Sequence, residues 1–306
     1  MFKRGWLLFG AMSLIWGIPY MLIKVALEGM PAPFLVFART AIGALVLLPI
    51  ALRRGQVKPA LKHWRYLLAF AAIEIAGPWL LLGDAEQHMT SSLAGLLISS
   101  VPLLVAVIMW RLGDKSAVSG LRLLGLGVGM AGVAAIVGFN VGTVSALHMG
   151  EVLLVALGYA IAPILADRKL TEVPTMAVIA ISLTSVAILY TPVAVFDHPH
   201  TMPKANVLAA VVALGLICTA SAFLLFFALI AEVGPAKSAM ITFVNPAVAV
   251  AGGVAFLGES IQVGIIVGAP LVLLGLVLST RKAAEDGRLA SVGTPVEPAA
   301  VVLEPA

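Results

Sequence analysis

The sequence is poor in charge and almost free of cysteine. Charged residues make up 11% of its 306 residues. Soluble domains carry roughly 25%, so a water-soluble globular protein is excluded. The one cysteine, Cys218, lies inside an apolar run; no disulfide can form within a chain, and the residue says nothing about redox compartment. There is no GxxxxGK[ST] loop and no HExxH motif, which removes the usual signatures of nucleotide hydrolysis and zinc proteolysis. The five histidines, His63, His88, His148, His198 and His200, fall in loops or at the ends of apolar runs. None shows metal-ligand spacing on a helix, so neither metal nor cofactor is expected. The net charge of +4 does not point to nucleic acid, because the basic residues sit in short connections between apolar runs.

What is present is apolar. Hydrophobic residues reach 61% and the mean hydropathy is +1.09, the composition of an integral membrane protein. Ten apolar segments separated by polar or Gly/Pro punctuation predict an all-α fold of ten transmembrane helices: Trp6–Ala26, Pro33–Leu52, Tyr66–Gly83, Ser92–Leu112, Leu121–Phe139, Met149–Ala166, Met176–Phe196, Val207–Ala231, Lys237–Leu257 and Val263–Ser279. The third, sixth and tenth are short for a full span, which calls for flanking polar residues at the interface or local thinning. The N-terminus has basic residues before an apolar run, as a signal sequence does. It lacks a small-x-small cleavage site and stays apolar to Ala26, so it reads as an uncleaved first span.

The stretch KSAMITFVNPAVAVAGGVAFLGE, Lys237 to Glu259, is crowded with small residues, which allow close helix contact in lipid. Ser238, Thr242 and Asn245 share one of its faces, and Pro246 follows at once. Ser92, Gly95 and Ser99 with Pro102 form an earlier version. Pro102 and Pro246 lie 144 residues apart, as do Pro19 and Pro163; Pro49 and Pro192 are 143 apart, as are Gly125 and Gly268, and Gly132 and Gly275. Five pairs at nearly one offset indicate an internal duplication: residues 1–140, 141–280, and a polar tail, 281–306, expected to be disordered.

Lys and Arg set the orientation. With the N-terminus inside, ten spans return the C-terminus inside; sixteen basic residues then face the cytoplasm, and only Lys204 lies in an outer loop. Five spans per repeat make the two repeats inverted, a transporter signature with the substrate site near the midplane. The segments SLIWGIPYMLIK and VNPAVAVAGGVAFLGES resemble the two halves of an EamA-type protein of the drug/metabolite transporter superfamily. Trp16-Gly17 with Lys24, and Pro246 followed by Gly258-Glu259, carry the resemblance, which covers about residues 6 to 280. The first repeat departs from the pattern, ending in Gly113-Asp114 one residue closer to its proline. The resemblance implies ten helices in two inverted repeats around a central cavity, and alternating access, without naming a substrate.

Lys24, Arg39 and Glu74 are the ionisable residues well inside spans, where charge is costly and a functional or paired role is expected. Lys24 is close enough to the interface to snorkel. Glu86 and Glu232, near helix ends, read as solvated or capping residues. Glu74 is open to three readings: a coupling site for a proton or cationic solute, an ion pair with Lys24 or Arg39, or a hydrogen-bonded neutral acid. Trp16 and Tyr159 occupy corresponding depths in the two repeats. The hydroxyl stripes are either substrate lining or helix-packing contacts.

The expected substrate-binding set is Trp16, Glu74, Ser99, Tyr159 and Asn245, with Pro102 and Pro246 as flexible points and no catalytic residues. The expected function is secondary transport of a small organic metabolite or drug across the cytoplasmic membrane, as an exporter. The alternatives are a membrane-embedded enzyme and a flippase for a lipid-linked substrate. Candidate partners are the small-molecule solute, the lipid bilayer, a coupling proton and a second copy in a homodimer, with no nucleic acid.

Overall fold

The computed structural model describes residues 3–113, 121–140, 144–234, 238, 241 and 244–286. Among them there are helices and no β-strand. We number the segments α1 Lys3–Leu27, α2 Ala32–Arg53, α3 Val57–His88, α4 Ser91–Arg111, α5 Leu121–Asn140, α6 Ala146–Lys169, α7 Thr175–Phe196, α8 Ala205–Val233, α9 Asn245–Leu257 and α10 Val263–Asp286. Seven of them, α1–α4 and α6–α8, are long and apolar enough to cross a membrane. Shorter apolar helices, Leu123–Phe139, Asn245–Leu257 and Val263–Gly275, lie in α5, α9 and α10.

The short third and sixth apolar runs lie in longer helices, α3 of 32 residues and α6 of 24, extended by flanking polar residues. Helical structure continues past each apolar run into polar residues, such as Asp84–His88 in α3, that hydropathy alone does not assign to a helix. The last helix runs to Asp286, beyond the expected start of the tail. The rest of that tail, 287–306, lies outside the described residues, as do Asp114, Lys237 and Thr242.

Proline has two outcomes in this fold. Its ring lacks an N–H and crowds the carbonyl four residues back. Helix α1 is interrupted at 16–18, just before Pro19, and α4 at Ser99–Ser100, before Pro102. In α4 the Ser99 and Ser100 hydroxyls donate to the Leu96 and Leu97 carbonyls, so they fill acceptors at the break. Pro49, Pro163 and Pro192, by contrast, sit within continuous helices.

Helix pairings between the two halves of the chain include α1 with α8, α2 with α7, α3 with α6, α4 with α9, and α5 with α10. The last pairing rests on glycine. A Cβ at Gly132 would come within 2.6 Å of the Val272 backbone nitrogen, so the two backbones touch where a side chain would separate them.

Helices α3 and α8, third in each half, both contain a π segment: Ala72–Ala76 and Ala213–Ser221. In α3 it precedes Pro78, and Gly77 N–H donates to the Ala72 carbonyl. In α8 the Thr219 hydroxyl donates to the Leu214 carbonyl, 2.8 Å away. Such wide turns commonly mark functional positions in helices.

Candidate functional site

The two π segments bring polar groups toward one buried centre. Arg39 enters it from α2 and is 9% exposed. Its Nε donates to Thr219 Oγ1 at 3.0 Å, and its guanidinium carbon lies 3.6 Å from the centre of the Trp79 ring. The planar guanidinium can stack on the indole and donate in its own plane at once. Arg39 therefore joins α3, through Trp79, to α8, through Thr219.

Glu74 rides on the α3 π segment. Its Oε2 is closed to solvent and has no hydrogen-bond partner among the described residues. Of the three readings of Glu74, an ion pair with Lys24 or Arg39 is not formed among the described residues. Arg39 is engaged as above, and Lys24 Nζ donates to the backbone carbonyls of Glu86 (2.8 Å) and Met89. Lys24 thus closes the C-terminal end of α3, a favourable place for a cation.

Tyr159 comes from α6 and lies within electrostatic reach of Glu74, Tyr20 and Arg39. The residue before it is fixed by crowding: a Cβ at Gly158 would sit 2.6 Å from the Ile73 carbonyl oxygen and 3.2 Å from Pro78 Cγ. The α6 backbone therefore rests directly on the α3 π segment, and this contact presents Tyr159 to Glu74.

Of the residues expected from sequence, Glu74 and Tyr159 come together. Trp16 sits at the α1 break and packs on Phe226 and Phe223 of α8, with ring centres 4.7 and 6.1 Å apart. The Ser99 hydroxyl is taken up within α4. The Asn245 amide nitrogen donates to the Ser13 and Ile241 carbonyls, at 3.2 and 2.9 Å, in the orientation that satisfies both, so it ties the start of α9 to α1. Within the stripes, a Cβ at Gly95 would come 2.7 Å from that of Ala249, and Ser238 donates to the Gly234 carbonyl. The first contact joins α4 to α9; the second is local.

Three features escaped the sequence. Glu86 was expected to be solvated or capping; it is 0% exposed, and both its carboxylate oxygens lack a hydrogen-bond partner among the described residues. Its place near a helix end suggested water, but Tyr20, Lys24 and Arg39 lie within electrostatic reach of it from α1 and α2. Thr219 had no local signal, because its role depends on an arginine 180 residues away. The histidines are not all separate either: His88 and His148 stack with ring centres 3.9 Å apart.

Comparison with known proteins adds a lineage to this geometry. The profile of the EamA-like transporter family matches residues 3–138 and 149–281. Among similar proteins is the "Uncharacterized transporter YvbV" of Bacillus subtilis (strain 168). It is 25% identical over 284 residues, covering 91% of this chain and 92% of the relative. The "Uncharacterized inner membrane transporter YedA" of Escherichia coli (strain K12) is 27% identical over 289 residues, covering 90% and 93%. A solved structure titled only "Crystal structure of protein" superposes with a TM-score of 0.65 at 19% identity, covering 91% of this chain and 97% of that one; it shares the fold.

Proposed function

Because the chain belongs to the EamA-like transporter family, we propose that it moves a small organic solute across the cytoplasmic membrane by alternating access around the buried centre of Arg39, Glu74, Trp79 and Tyr159, and that it works as an exporter. The observation that carries this reading is Glu74 Oε2, closed to solvent and without a hydrogen-bond partner among the described residues, with Tyr159 from the other half of the chain within electrostatic reach. A buried carboxylate needs a compensating charge or hydrogen bonds. A proton and a cationic group of a solute can both meet that need, and their exchange at one site is the simplest form of coupling. The aromatic rings of Trp79 and Tyr159 supply walls that suit an organic solute. The chemistry is binding and release, with no bond made or broken.

The ten segments are read as ten spans in two inverted repeats, 1–140 and 141–280. Two separate family matches, one in each half, support the duplication. So do the pairings, which map onto themselves when the halves are exchanged: α1 with α8 becomes α6 with α3, and the other three pairs are unchanged. In the Lys/Arg orientation both termini are cytoplasmic. The helix breaks before Pro19 and Pro102 serve as flexible points during the switch, together with Pro246. Ser99 and Asn245 act at such points, Trp16 lines the α1–α8 wall, and Glu74 and Tyr159 touch the solute.

The test is flux in proteoliposomes containing the purified protein and a labelled mixture of amine-bearing, neutral and acidic metabolites. Accumulation or exchange of defined solutes, absent from empty vesicles and lost in Glu74→Ala, is expected. Flux that is indifferent to Glu74, Tyr159 and Arg39 substitutions overturns this site.

A further inference from the structure

At the end of the bundle where α3 finishes and α6 begins, four polar side chains converge apart from the buried centre. Candidate ligand atoms of Asp84, His88 and His148 all lie within 4.8 Å of one another. His148 Nδ1 lies 3.1 Å from Glu151 Oε2 and 3.9 Å from Asp84 Oδ2. His88 Nδ1 lies 3.1 Å from the backbone carbonyl of Asp84.

We propose that Asp84, His88 and His148 form a binding site for a transition-metal ion of the zinc type that links the ends of α3 and α6, with Glu151 as the carboxylate that orients His148. Two imidazoles and one carboxylate are the donor set that zinc takes with water as a fourth ligand. Each ring has one nitrogen already placed against an acceptor: the Asp84 carbonyl for His88, the Glu151 carboxylate for His148. That arrangement fixes the tautomer and leaves Nε2 with its lone pair, as in metal-bound histidines generally.

Access fits the same assignment. The His148 and Glu151 side chains are 13% and 14% exposed, whereas Asp84 is 47% exposed and His88 is exposed. An ion thus arrives from solvent past Asp84 and His88 onto a sheltered His148. The two rings are nearly parallel, 7° apart, while their lone pairs lie in the ring planes. Sharing one ion requires a ring to swing, and exposed His88 on the last turn of α3 has the room to do so. Tetrahedral zinc, with bonds of about 2 Å, then draws the ligand atoms to roughly 3.3 Å apart.

The binding claim stands apart from the transport reading and is tested without flux. Purified full-length protein in detergent, freed of any histidine tag and treated with chelator, is titrated with zinc chloride by calorimetry, with magnesium chloride as the control. One zinc per chain is expected, with no magnesium heat. Affinity should fall at least about 10-fold in His148→Ala and in Asp84→Ala, and stay unchanged in a His198→Ala/His200→Ala double variant. Zinc should raise the melting temperature of the wild type and leave that of His148→Ala unmoved. If His148→Ala fails to fold, His88→Ala, altered at an exposed position, carries the same expectation. Absence of stoichiometric zinc binding, affinity unchanged in the folded variants of Asp84, His88 and His148, or loss of binding in the His198/His200 variant overturns the proposal and leaves the ring stack as a packing contact.

Discussion

Glu259, in the turn after α9, accepts hydrogen bonds from both the backbone N–H and the hydroxyl of Ser92 at the start of α4, at 3.0 and 2.6 Å. It also accepts from Ser91 N–H at 2.6 Å. The carboxylate thus caps a helix from the other half of the chain, at the end where free N–H groups and the helix dipole favour an anion. Gly258, with φ of +66°, supplies the left-handed turn that delivers it.

Removing that charge should loosen this end of the bundle. Glu259→Gln is expected to lose roughly 0.5–2 kcal/mol of stability near neutral pH. Burial pushes the Glu259 carboxyl up, but hydrogen bonds from Ser92 and Ser91 outweigh it and hold the group below the usual carboxylate range. A carboxyl whose folded value is depressed contributes stability that is present above its unfolded value and lost as pH falls through the folded one. The wild-type advantage over Glu259→Gln should therefore be flat from neutral pH down to the ordinary carboxylate range, and shrink in more acid solution. Melting curves of both proteins across that window check this; equal stability at neutral pH refutes the cap.

Arg39 should not tolerate lysine. Both are cations, but lysine cannot stack on Trp79 and donate sideways to Thr219 together. Losing a buried hydrogen bond to a charged group costs about 1.5–3 kcal/mol, so Arg39→Lys should melt earlier, and Thr219→Val should reproduce part of the loss. In a double-mutant cycle the two effects should fall short of additive. Full additivity would mean the contact contributes nothing.

The apolar helical architecture was legible because hydrocarbon imposes long uncharged runs. What the sequence concealed depends on partners distant along the chain. Glu86 sits one turn from a helix end, where charge usually meets water, and its burial follows from α1 and α2 packing across it. The histidines looked unrelated because the chain between His88 and His148 holds two whole helices, α4 and α5. Ser99 and Asn245 showed the right polarity, but polarity cannot separate a hydroxyl that faces a solute from one that mends a broken helix. Glu74 stood out in the sequence because a charge well inside an apolar run has few uses in lipid.

The α6–α3 contact should be sensitive to a single methyl group. Gly158→Ala places a Cβ 2.6 Å from a backbone oxygen of the π segment, and backbone cannot yield as a flexible side chain can. A loss of roughly 1–3 kcal/mol is expected. Gly10→Ala is the matched control, since nothing lies within 4 Å of its added Cβ. If the two variants melt alike, the close approach is not a constraint.

Among the described residues, Glu74 Oε2 and both carboxylate oxygens of Glu86, all on α3, are buried without a hydrogen-bond partner, and the two residues make different predictions. Glu86 lies within electrostatic reach of Lys24, Glu259 and Arg39, so its charge has company even without a hydrogen bond. Glu74 has neither a bonded cation nor a hydrogen-bond donor at Oε2 among the described residues, and it faces Tyr159 across the junction of the two halves. If one of the two exchanges a proton for a cationic solute, the geometry favours Glu74. Glu74→Gln keeps the shape and removes the exchangeable charge, so accumulation driven by an imposed pH gradient should be lost while solute exchange at equal pH persists. Glu86→Gln should alter stability through its surroundings and leave gradient-driven accumulation at more than about half of wild type. The measurement is flux of the transported solute in proteoliposomes, with and without the gradient, on variants matched for melting temperature. Gradient-driven accumulation that survives in Glu74→Gln removes Glu74 from the coupling role; accumulation lost only in Glu86→Gln moves that role one end up the helix.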